Sequence, residues 1–255
     1  MRRVAEVVAN ERLGAYVLLS VRDASRPKPG QFFMLAAVER WGGGAGERPY
    51  LPRAFSHARV HEDGKLDFLL EAVGPGTQRL AELQPGEGVW ILGPLGIGFT
   101  PPAEGRTPLL VGGGIGAAPL LALHDELPPD TPVLLGFRSA AHAEAAAIFG
   151  TDPFLATDDG SVGHSGLVTE LLYDRLDGSS VYSCGPPPML EAVRAICTER
   201  DVPAQLALES GMACGFGACF GCVVPTKNGY IRLCVDGPVL EASDLETALT
   251  PGAGH

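Results

Sequence analysis

Short hydrophobic runs separated by turn residues fill the first hundred residues of the chain. The runs are rich in β-branched, aromatic or leucine residues, and Pro-Gly pairs such as Pro29-Gly30 and Pro85-Gly86 separate them. They predict strands at Val4–Val8, Tyr16–Val21, Phe32–Ala37, Ala54–Val60, Lys65–Ala72 and Gly88–Leu92. Strands at this spacing favour a small antiparallel β-barrel over residues 1–102. The glycine-rich stretch Trp41–Pro49 predicts a flexible loop.

From about Pro108 the pattern changes, because short apolar strands now alternate with helical segments. Strands are predicted at Leu109–Val111, Pro132–Phe137, Phe154–Ala156, Ser180–Ser183 and Ala204–Leu208. Helices are predicted up to Glu126 and over Ala140–Phe149, Leu167–Leu176 and Pro188–Arg200. This alternation indicates a doubly wound α/β domain with a parallel sheet over residues 103–208. Residues 209–255 form a short cysteine-rich segment that a metal would help to order. The predicted fold class is therefore α+β, with several domains.

Composition and charge exclude several functional classes. The chain has 255 residues, of which 45% are hydrophobic and 19% charged, so we expect packed domains rather than disorder. A net charge of −11 argues against a nucleic acid partner, whose phosphates need Lys and Arg. The uncharged stretch from Thr107 to Leu123 is shorter than the roughly 20 residues of a spanning helix, so no membrane association is expected. The first residues carry scattered charges and predict a strand, which indicates a cytoplasmic protein.

The cysteines give the most specific pattern in the sequence. Cys214, Cys219 and Cys222 follow the spacing C-x4-C-x2-C, and Cys234 follows them, which is the plant-type [2Fe-2S] pattern. Two irons need four thiolates, and glycines within the loop let its backbone wrap closely around the sulfurs. The fourth ligand is predicted to lie on a strand, Tyr230–Val235. A structural zinc site also uses four cysteines, but it more often pairs them as two C-x2-4-C units. Cys197 lies in an apolar helix and fits an inert core position.

A glycine loop lies between the first predicted strand of the second domain and its helix. It contains Gly112, Gly113, Gly114 and Gly116, and Pro119 stands where the common G-x-G-x-x-G pattern has its last glycine. Proline is tolerated in the first turn of a helix because its missing N–H has no partner there. In this strand–helix setting the loop predicts a pyrophosphate site. The alternative is a tight turn that binds no ligand.

Two further segments in the barrel half suggest flavin binding. Arg53-Ala54-Phe55-Ser56 offers a guanidinium that can pair with a diphosphate and a hydroxyl that can hydrogen-bond a flavin nitrogen. Gly74-Pro75-Gly76-Thr77 offers backbone amides and a hydroxyl before a helical stretch. Taken singly, these segments fit a surface arginine and an ordinary turn better than a flavin site.

Together these segments resemble the ferredoxin reductase family, and within it the electron-transfer subunits of NAD-dependent bacterial dihydroorotate dehydrogenases. The resemblance covers nearly the whole chain in the same order. It implies that cofactors are bound by Arg53, Ala54, Phe55 and Ser56; by Leu70, Glu71 and Ala72; by Gly76 and Thr77; by the glycine loop; and by Cys184, Gly185 and Pro186. The family's flavin motif is Arg-Pro-x-Ser, from which this chain departs by carrying Ala54 in the proline position.

The resemblance implies FAD, a [2Fe-2S] cluster and NAD as cofactors, and a partner that holds the organic substrate. A flavin belongs between nicotinamide and cluster because it exchanges both electron pairs and single electrons. The implied partner is an FMN-containing catalytic subunit that oxidises dihydroorotate in pyrimidine biosynthesis, with two copies of each subunit and the cluster segment at their interface. No catalytic acid–base residue is expected, and the six histidines show no ligand spacing.

Two other functions remain open from the sequence. The chain could serve another partner, such as a hydrogenase, a sulfite reductase or a soluble ferredoxin. It could instead be a non-redox nucleotide-binding module with a structural zinc. The choice between NAD and NADP is also open: Arg138, just after the second strand of the nucleotide domain, could favour a 2′-phosphate or be a surface arginine.

Overall fold

The chain is described by a computed structural model that covers residues 2–42 and 49–250. The loop predicted at Trp41–Pro49 falls mostly outside these ranges. Within them, the strands form two seven-stranded sheets and one two-stranded sheet. No helix in these ranges is long and apolar enough to cross a membrane.

The first sheet contains the strands of the barrel half and is antiparallel throughout. Its spatial order is β4-β3-β7-β1-β2-β6-β5. The strands are β1 (Arg3–Leu13), β2 (Tyr16–Arg22), β3 (Phe32–Ala37), β4 (Arg53–Ser56), β5 (Arg59–Val60), β6 (Lys65–Glu71) and β7 (Gly88–Leu95). Helix α1 (Pro75–Ala81) follows β6. The side chain of Asn10 in β1 donates hydrogen bonds to the carbonyls of Ala81 and Leu83 at the end of this helix.

The single strand predicted over Ala54–Val60 is wrong, because the structure divides this segment into β4 and β5. The two short strands lie at opposite edges of the sheet, where β4 pairs with β3 and β5 pairs with β6. Between them the backbone N–H of Ala58 donates to the carbonyl of Asp67 at 2.7 Å. The segment therefore crosses from one edge to the other and closes the sheet into a barrel, which a single straight strand cannot do.

The second sheet is parallel apart from its last strand. Its spatial order is β11-β10-β9-β8-β12-β13-β16. The strands are β8 (Thr107–Gly113), β9 (Val133–Phe137), β10 (Phe154–Thr157), β11 (His164–Ser165), β12 (Ser179–Cys184), β13 (Ala204–Ala207) and β16 (Val239–Glu241). The helices are α2 (Ala117–His124), α3 (Ala140–Ala143) and α4 (Pro187–Glu199), and a 3₁₀ turn at Gly114–Gly116 leads into α2. This arrangement confirms the predicted combination of a barrel and a parallel-sheet domain.

Two of the predicted helices are shorter or tighter than expected. Leu167–Leu176 contains two 3₁₀ turns, Val168–Leu171 and Tyr173–Arg175, and Ala140–Phe149 consists of α3 followed by a 3₁₀ turn at Glu144–Phe149. Val168 packs closely on the sheet: a Cβ added to Gly136 of β9 would lie 2.9 Å from the Cβ of Val168. Packing against the sheet thus overrides helix propensity in this segment.

The cysteine-rich segment folds as a hairpin that returns to the parallel sheet. Its strands are β14 (Val223–Thr226) and β15 (Gly229–Arg232), followed by the helical turn α5 (Leu233–Asp236), β16 and a 3₁₀ turn at Ala242–Asp244. The strand predicted over Tyr230–Val235 is therefore wrong in its second half. Leu233 is fully buried and donates its N–H to the carbonyl of Cys222, so the chain turns inward there and Cys234 lies in α5.

Candidate functional site

A cleft of about 880 Å³ lies between the barrel and the carboxyl ends of the parallel strands. Its size is within the range of small-molecule sites, and its place at the strand ends is where ligands bind in open α/β sheets. Most of its lining belongs to three parts of the chain: β4 with the end of β6, the loops after β8, β9 and β12, and the residues that follow β13. The cleft therefore joins all three predicted regions of the chain.

The barrel wall of the cleft contains most of the predicted flavin-binding residues. These are Arg53, Ala54, Phe55, Ser56, Glu71 and Thr77. Arg53 donates from Nη1 to the carbonyl of Leu51 at 2.6 Å, and its guanidinium lies against Gly76, where an added Cβ would be 2.7 Å from Nε. Thr77 Oγ1 accepts the N–H groups of Val73 and Gly74, both at 3.0 Å. Gly76 and Thr77 thus fix the turn that supports the Arg53 guanidinium.

The opposite wall contains the glycine loop and the turn after β12. Gly113, Gly114, Pro119, Cys184, Gly185 and Pro186 line the cleft. Gly114 has a φ of 55°, a conformation that glycine adopts without strain. Gly116 lies behind the wall, and a Cβ there would be 2.2 Å from the carbonyl oxygen of Cys184. The glycines therefore allow the start of α2 to pack directly on the end of β12.

Some predicted residues lie near the cleft but do not line it. Leu70 is fully buried in the barrel core, and Ala72 is exposed outside the cleft. Alternation along β6 explains this placement, since successive side chains point to opposite faces and Leu69 and Glu71 are the ones that face the cleft. Gly112 is buried between Leu120 and Leu135.

Other lining residues have no counterpart among the predicted cofactor-binding residues. They include Tyr16, Phe32, Thr169, Met189, Glu209, Met212 and Pro238. Tyr16 and Phe32 have the sequence pattern of ordinary core residues, so no local signal distinguishes them. Glu209 to Met212 directly follow the last parallel strand, and the rule that ligands bind at the carboxyl ends of such strands could have identified them.

The charged groups of the cleft include both signs. Arg53 and Arg138 are its cations, and Glu71, Asp158 and Glu209 are its anions. Burial, and then the Glu71 carboxylate, raise the pKa of Tyr16 to about 12. The cleft walls raise the pKa of Glu209 by limiting its hydration, although solvent still reaches its side chain. Burial, and then Glu209, raise the pKa of Cys184 well above its usual value, so this cysteine remains a neutral thiol.

The four cysteines of the predicted iron–sulfur motif gather as two pairs. Cys222 Sγ and Cys234 Sγ are 3.2 Å apart and both residues are buried. The side chain of Cys219 hydrogen-bonds Cys214, and Cys219 Sγ accepts the N–H of Gly221 at 3.5 Å. In the described part of the chain, no three His, Cys, Asp or Glu side chains converge on the position of one metal ion. Two pairs of thiolates fit a cluster of two irons, each of which takes two protein sulfurs.

Backbone amides in the cysteine loop favour the thiolate form at one of these sulfurs. Burial opposes this, but the N–H groups of Phe216, Cys219 and Ala218 and the Cys219 side chain lower the pKa of Cys214 to about 6. Burial, together with its neighbour Cys222, raises the pKa of Cys234 to about 12. Backbone amides that point at the sulfurs stabilise cysteine ligands of iron–sulfur clusters, so this loop fits a [2Fe-2S] cluster.

Strand β3 lies between the cleft and the cysteines. Phe32 lines the cleft, whereas a Cβ added to Gly215 of the cysteine loop would be 2.5 Å from Met34 Cγ. Phe32, Met34, Cys222 and Cys234 belong to one packed hydrophobic core. Strand β3 therefore contacts both predicted cofactor sites.

Comparison with known proteins agrees with this arrangement. Residues 209–246 match the family model described as the iron-sulfur cluster binding domain of dihydroorotate dehydrogenase B. A protein of Geobacillus kaustophilus named dihydroorotate dehydrogenase B (NAD(+)), electron transfer subunit, is 40% identical over 232 residues, which cover 86% of each chain. The protein of the same name from Caldanaerobacter subterraneus is 34% identical over 249 residues, which cover 94% of this chain and 97% of that protein.

Solved structures show the same fold. The structure of an NADH-dependent reduced ferredoxin-NADP oxidoreductase superposes with a TM-score of 0.79 at 23% identity, covering 96% of this chain and 90% of that one. The ferredoxin reductase in carbazole 1,9a-dioxygenase superposes with a TM-score of 0.66 at 25% identity, covering 79% and 66%. With relatives of this identity along most of its length, the chain belongs to the family of dihydroorotate dehydrogenase B electron transfer subunits.

Proposed function

We propose that this chain passes electrons between NAD and the FMN-containing catalytic subunit of a dihydroorotate dehydrogenase, by way of FAD in the cleft and a [2Fe-2S] cluster on the four cysteines. The observation that carries the proposal is the position of β3, which lines the cleft through Phe32 and packs into the same core as Cys222 and Cys234. FAD, when bound, exchanges electron pairs with nicotinamide and single electrons with the cluster.

The residues of this chain bind and orient these groups rather than carry out acid–base chemistry. Arg53 would hold the FAD diphosphate, and Ser56, on the same wall, would hydrogen-bond the flavin ring. The part of the glycine loop that lines the cleft, Gly113 and Gly114, and the turn Cys184-Gly185-Pro186 would receive the nicotinamide nucleotide. Cys214, Cys219, Cys222 and Cys234 ligate the cluster. The high pKa of the Cys184 thiol fits a binding role, because the thiol keeps its proton at physiological pH and does not act as an acid or a base.

The organic substrate is oxidised on the partner, so this chain acts on dihydroorotate only within the complex. We propose two copies of each subunit, with the cysteine segment facing the catalytic subunit. Three aromatic side chains of that segment support this orientation, since Phe216, Phe220 and Tyr230 are 60%, 63% and 79% exposed. Exposed aromatic residues are typical of interface cores. None of the six cysteines forms a disulfide, which suits the reducing cytoplasm where we place the complex.

We also propose that the functional division of the chain follows the three regions 1–102, 103–208 and 209–255. The first binds FAD, the second NAD and the third the cluster. The strand β16 supports a close association of the last two, because it pairs antiparallel with β13 through Ala207, Leu206 and Gln205.

The test is a visible spectrum of the protein purified without oxygen, recorded before and after addition of NADH. We expect flavin bands together with the broad absorption of a [2Fe-2S] cluster, and bleaching of both by NADH. Copurified catalytic subunit should then make orotate formation depend on NAD. A colourless protein with zinc as its only metal would overturn the proposal, and bleaching by NADH without any dihydroorotate-dependent activity in the complex would reject the assigned partner.

A further inference from the structure

An ion pair between Glu71 and Arg138 lies in the lining of the cleft. Arg138 Nη2 donates to Glu71 Oε1, and the same oxygen lies 3.6 Å from Nε2 of His142. Glu71 is the last residue of β6 in the barrel, whereas Arg138 directly follows β9 in the parallel sheet. The pair therefore connects the two walls of the cleft.

The position of Arg138 gives this pair a chemical consequence. In dinucleotide-binding sheets, a residue about 20 positions after the glycine loop reads the 2′ position of the adenosine ribose, where an acid prefers NAD and an arginine accepts the 2′-phosphate of NADP. Arg138 follows β9, the parallel strand next to the glycine-loop strand β8, and lines the cleft. By sequence position alone, Arg138 favours NADP.

Glu71 reverses this preference. The Glu71 carboxylate already neutralises Arg138. A 2′-phosphate that binds Arg138 would have to displace this carboxylate, and the two negative groups would then face each other. The Glu71 side chain is 25% exposed, so water screens that repulsion only in part. Asp158 adds a second negative group to the same cleft. A nucleotide without the 2′-phosphate meets neither penalty.

We infer that Glu71 is a specificity-determining residue, which occupies Arg138 from the barrel side and so makes the nucleotide site select NAD over NADP. The inference rests on the proposed function, because it takes the glycine-loop wall as the nicotinamide nucleotide site. It assigns cofactor choice to an acid from the flavin barrel, rather than to the acid that commonly follows the second strand of a nucleotide domain.

The experiment is calorimetric titration of the protein, with FAD in excess, by 5′-AMP and by 2′,5′-ADP. Glu71→Gln should raise the affinity for 2′,5′-ADP relative to 5′-AMP by about tenfold, the order of one charged hydrogen bond regained by Arg138. The ratio of kcat/KM for NADPH to that for NADH should rise in the same direction. The double variant Glu71→Gln/Arg138→Ala should lose this gain, which a double-mutant cycle quantifies. Glu71→Ala provides a second route to the same comparison if the glutamine variant is unstable.

Two control variants separate the ion pair from general charge. Asp158→Asn removes a second cleft anion and leaves the Glu71–Arg138 ion pair in place, so it should give a smaller gain. Glu82→Gln removes a partner of Arg40, paired at 3.5 Å outside the cleft, and should give none. An unchanged ratio in both Glu71 variants, an equal gain in Asp158→Asn, or a gain that survives loss of Arg138 would overturn the inference. If neither the parent protein nor any variant binds 5′-AMP, the proposed nucleotide site itself is wrong.

Discussion

Cys222 Sγ lies 3.2 Å from Cys234 Sγ, although the hairpin β14–β15 separates the two residues in the chain. Cys222 ends the glycine-rich loop and Cys234 lies in α5, so the hairpin brings the fourth sulfur back to the first three. The N–H of Leu233 donates to the carbonyl of Cys222 at 3.1 Å and fixes this return. The register of the hairpin, rather than the motif alone, therefore determines whether four ligands meet.

Loss of Cys234 should remove the cluster and leave the flavin. We expect Cys234→Ser to lose the [2Fe-2S] absorption and its electron paramagnetic resonance signal while retaining FAD, because the cleft does not include this cysteine. Reduction of the flavin by NADH should persist, and transfer to the catalytic subunit should fall at least tenfold. Cys197→Ser, which replaces a buried cysteine of α4 outside the motif, is the matched control and should keep the cluster. A Cys234→Ser protein with its full iron content would contradict the ligand assignment.

A side chain at Gly116 should disturb the nucleotide wall. In Gly116→Ala the new Cβ would lie 2.2 Å from the Cys184 carbonyl oxygen, so α2 and β12 must move apart. Overpacking of this kind lowers the free energy of unfolding by about 1–3 kcal/mol. We expect a lower melting temperature and a higher KM for NADH, measured by thermal unfolding and by steady-state kinetics.

Gly74→Ala is the control for this effect, since a Cβ there meets no atom within 4 Å and Gly74 has a φ of −160°, which other residues adopt. Equal melting temperatures for Gly116→Ala and the parent protein would show that α2 and β12 can move apart without loss of stability.

The arginine of the barrel wall should govern flavin affinity. The Arg53 guanidinium packs against the backbone of Gly76, which has no side chain in the way, and lines the cleft where we place the FAD diphosphate. We expect Arg53→Ala to weaken FAD binding about 10- to 100-fold, and Arg53→Lys to weaken it less, because lysine keeps the charge but not the two parallel donors. FAD released on ultrafiltration measures both. Arg26→Ala, at an exposed arginine that donates to the His61 carbonyl, is the control. Retention of FAD by Arg53→Ala equal to that of the control would refute the assignment.

The sequence allowed the order of the regions and the chemistry of the cysteines to be predicted, because both depend on local patterns. Alternating hydrophobic runs predicted most strands of both sheets, although not β11 and β16, and the spacing of Cys214, Cys219 and Cys222 predicted the cluster type. The division of Ala54–Val60 between two sheet edges was not predictable, because pairing with β3 and β6 depends on how the whole barrel closes.

The cleft shows the same limit. Its strand-end residues follow from motifs, whereas Tyr16, Phe32 and Pro238 reach it only through the packing of barrel, sheet and cysteine segment. The ion pair between Glu71 and Arg138 joins residues that are 67 positions apart and belong to different domains. The sequence around either residue therefore does not predict its partner. Long-range contacts of this kind depend on tertiary structure, and local propensities do not encode them.

A buried histidine should make the protein sensitive to acid. His57 is 1% exposed, its ring packs edge-on against Phe33 with centroids 6.4 Å apart, and Nδ1 lies 3.3 Å from the carbonyl oxygen of Gln31. Burial lowers the pKa of His57 to about 4, although the Gln31 carbonyl opposes the shift. An unfolded histidine has a pKa of about 6.5, so between these values the unfolded state binds the proton more strongly and stability falls as the pH falls.

The size of this effect follows from the two pKa values. Acidification from pH 7 to pH 5 should lower the free energy of unfolding by about 2 kcal/mol through His57 alone. His57→Gln should lack this component, so its unfolding free energy should change less over the same interval, whatever its stability at pH 7. Urea unfolding at both pH values, with FAD in excess, measures the difference, and His164→Gln controls for loss of an exposed histidine. Equal pH dependence in His57→Gln and the parent protein would show that His57 is protonated as readily in the folded barrel as in the unfolded chain.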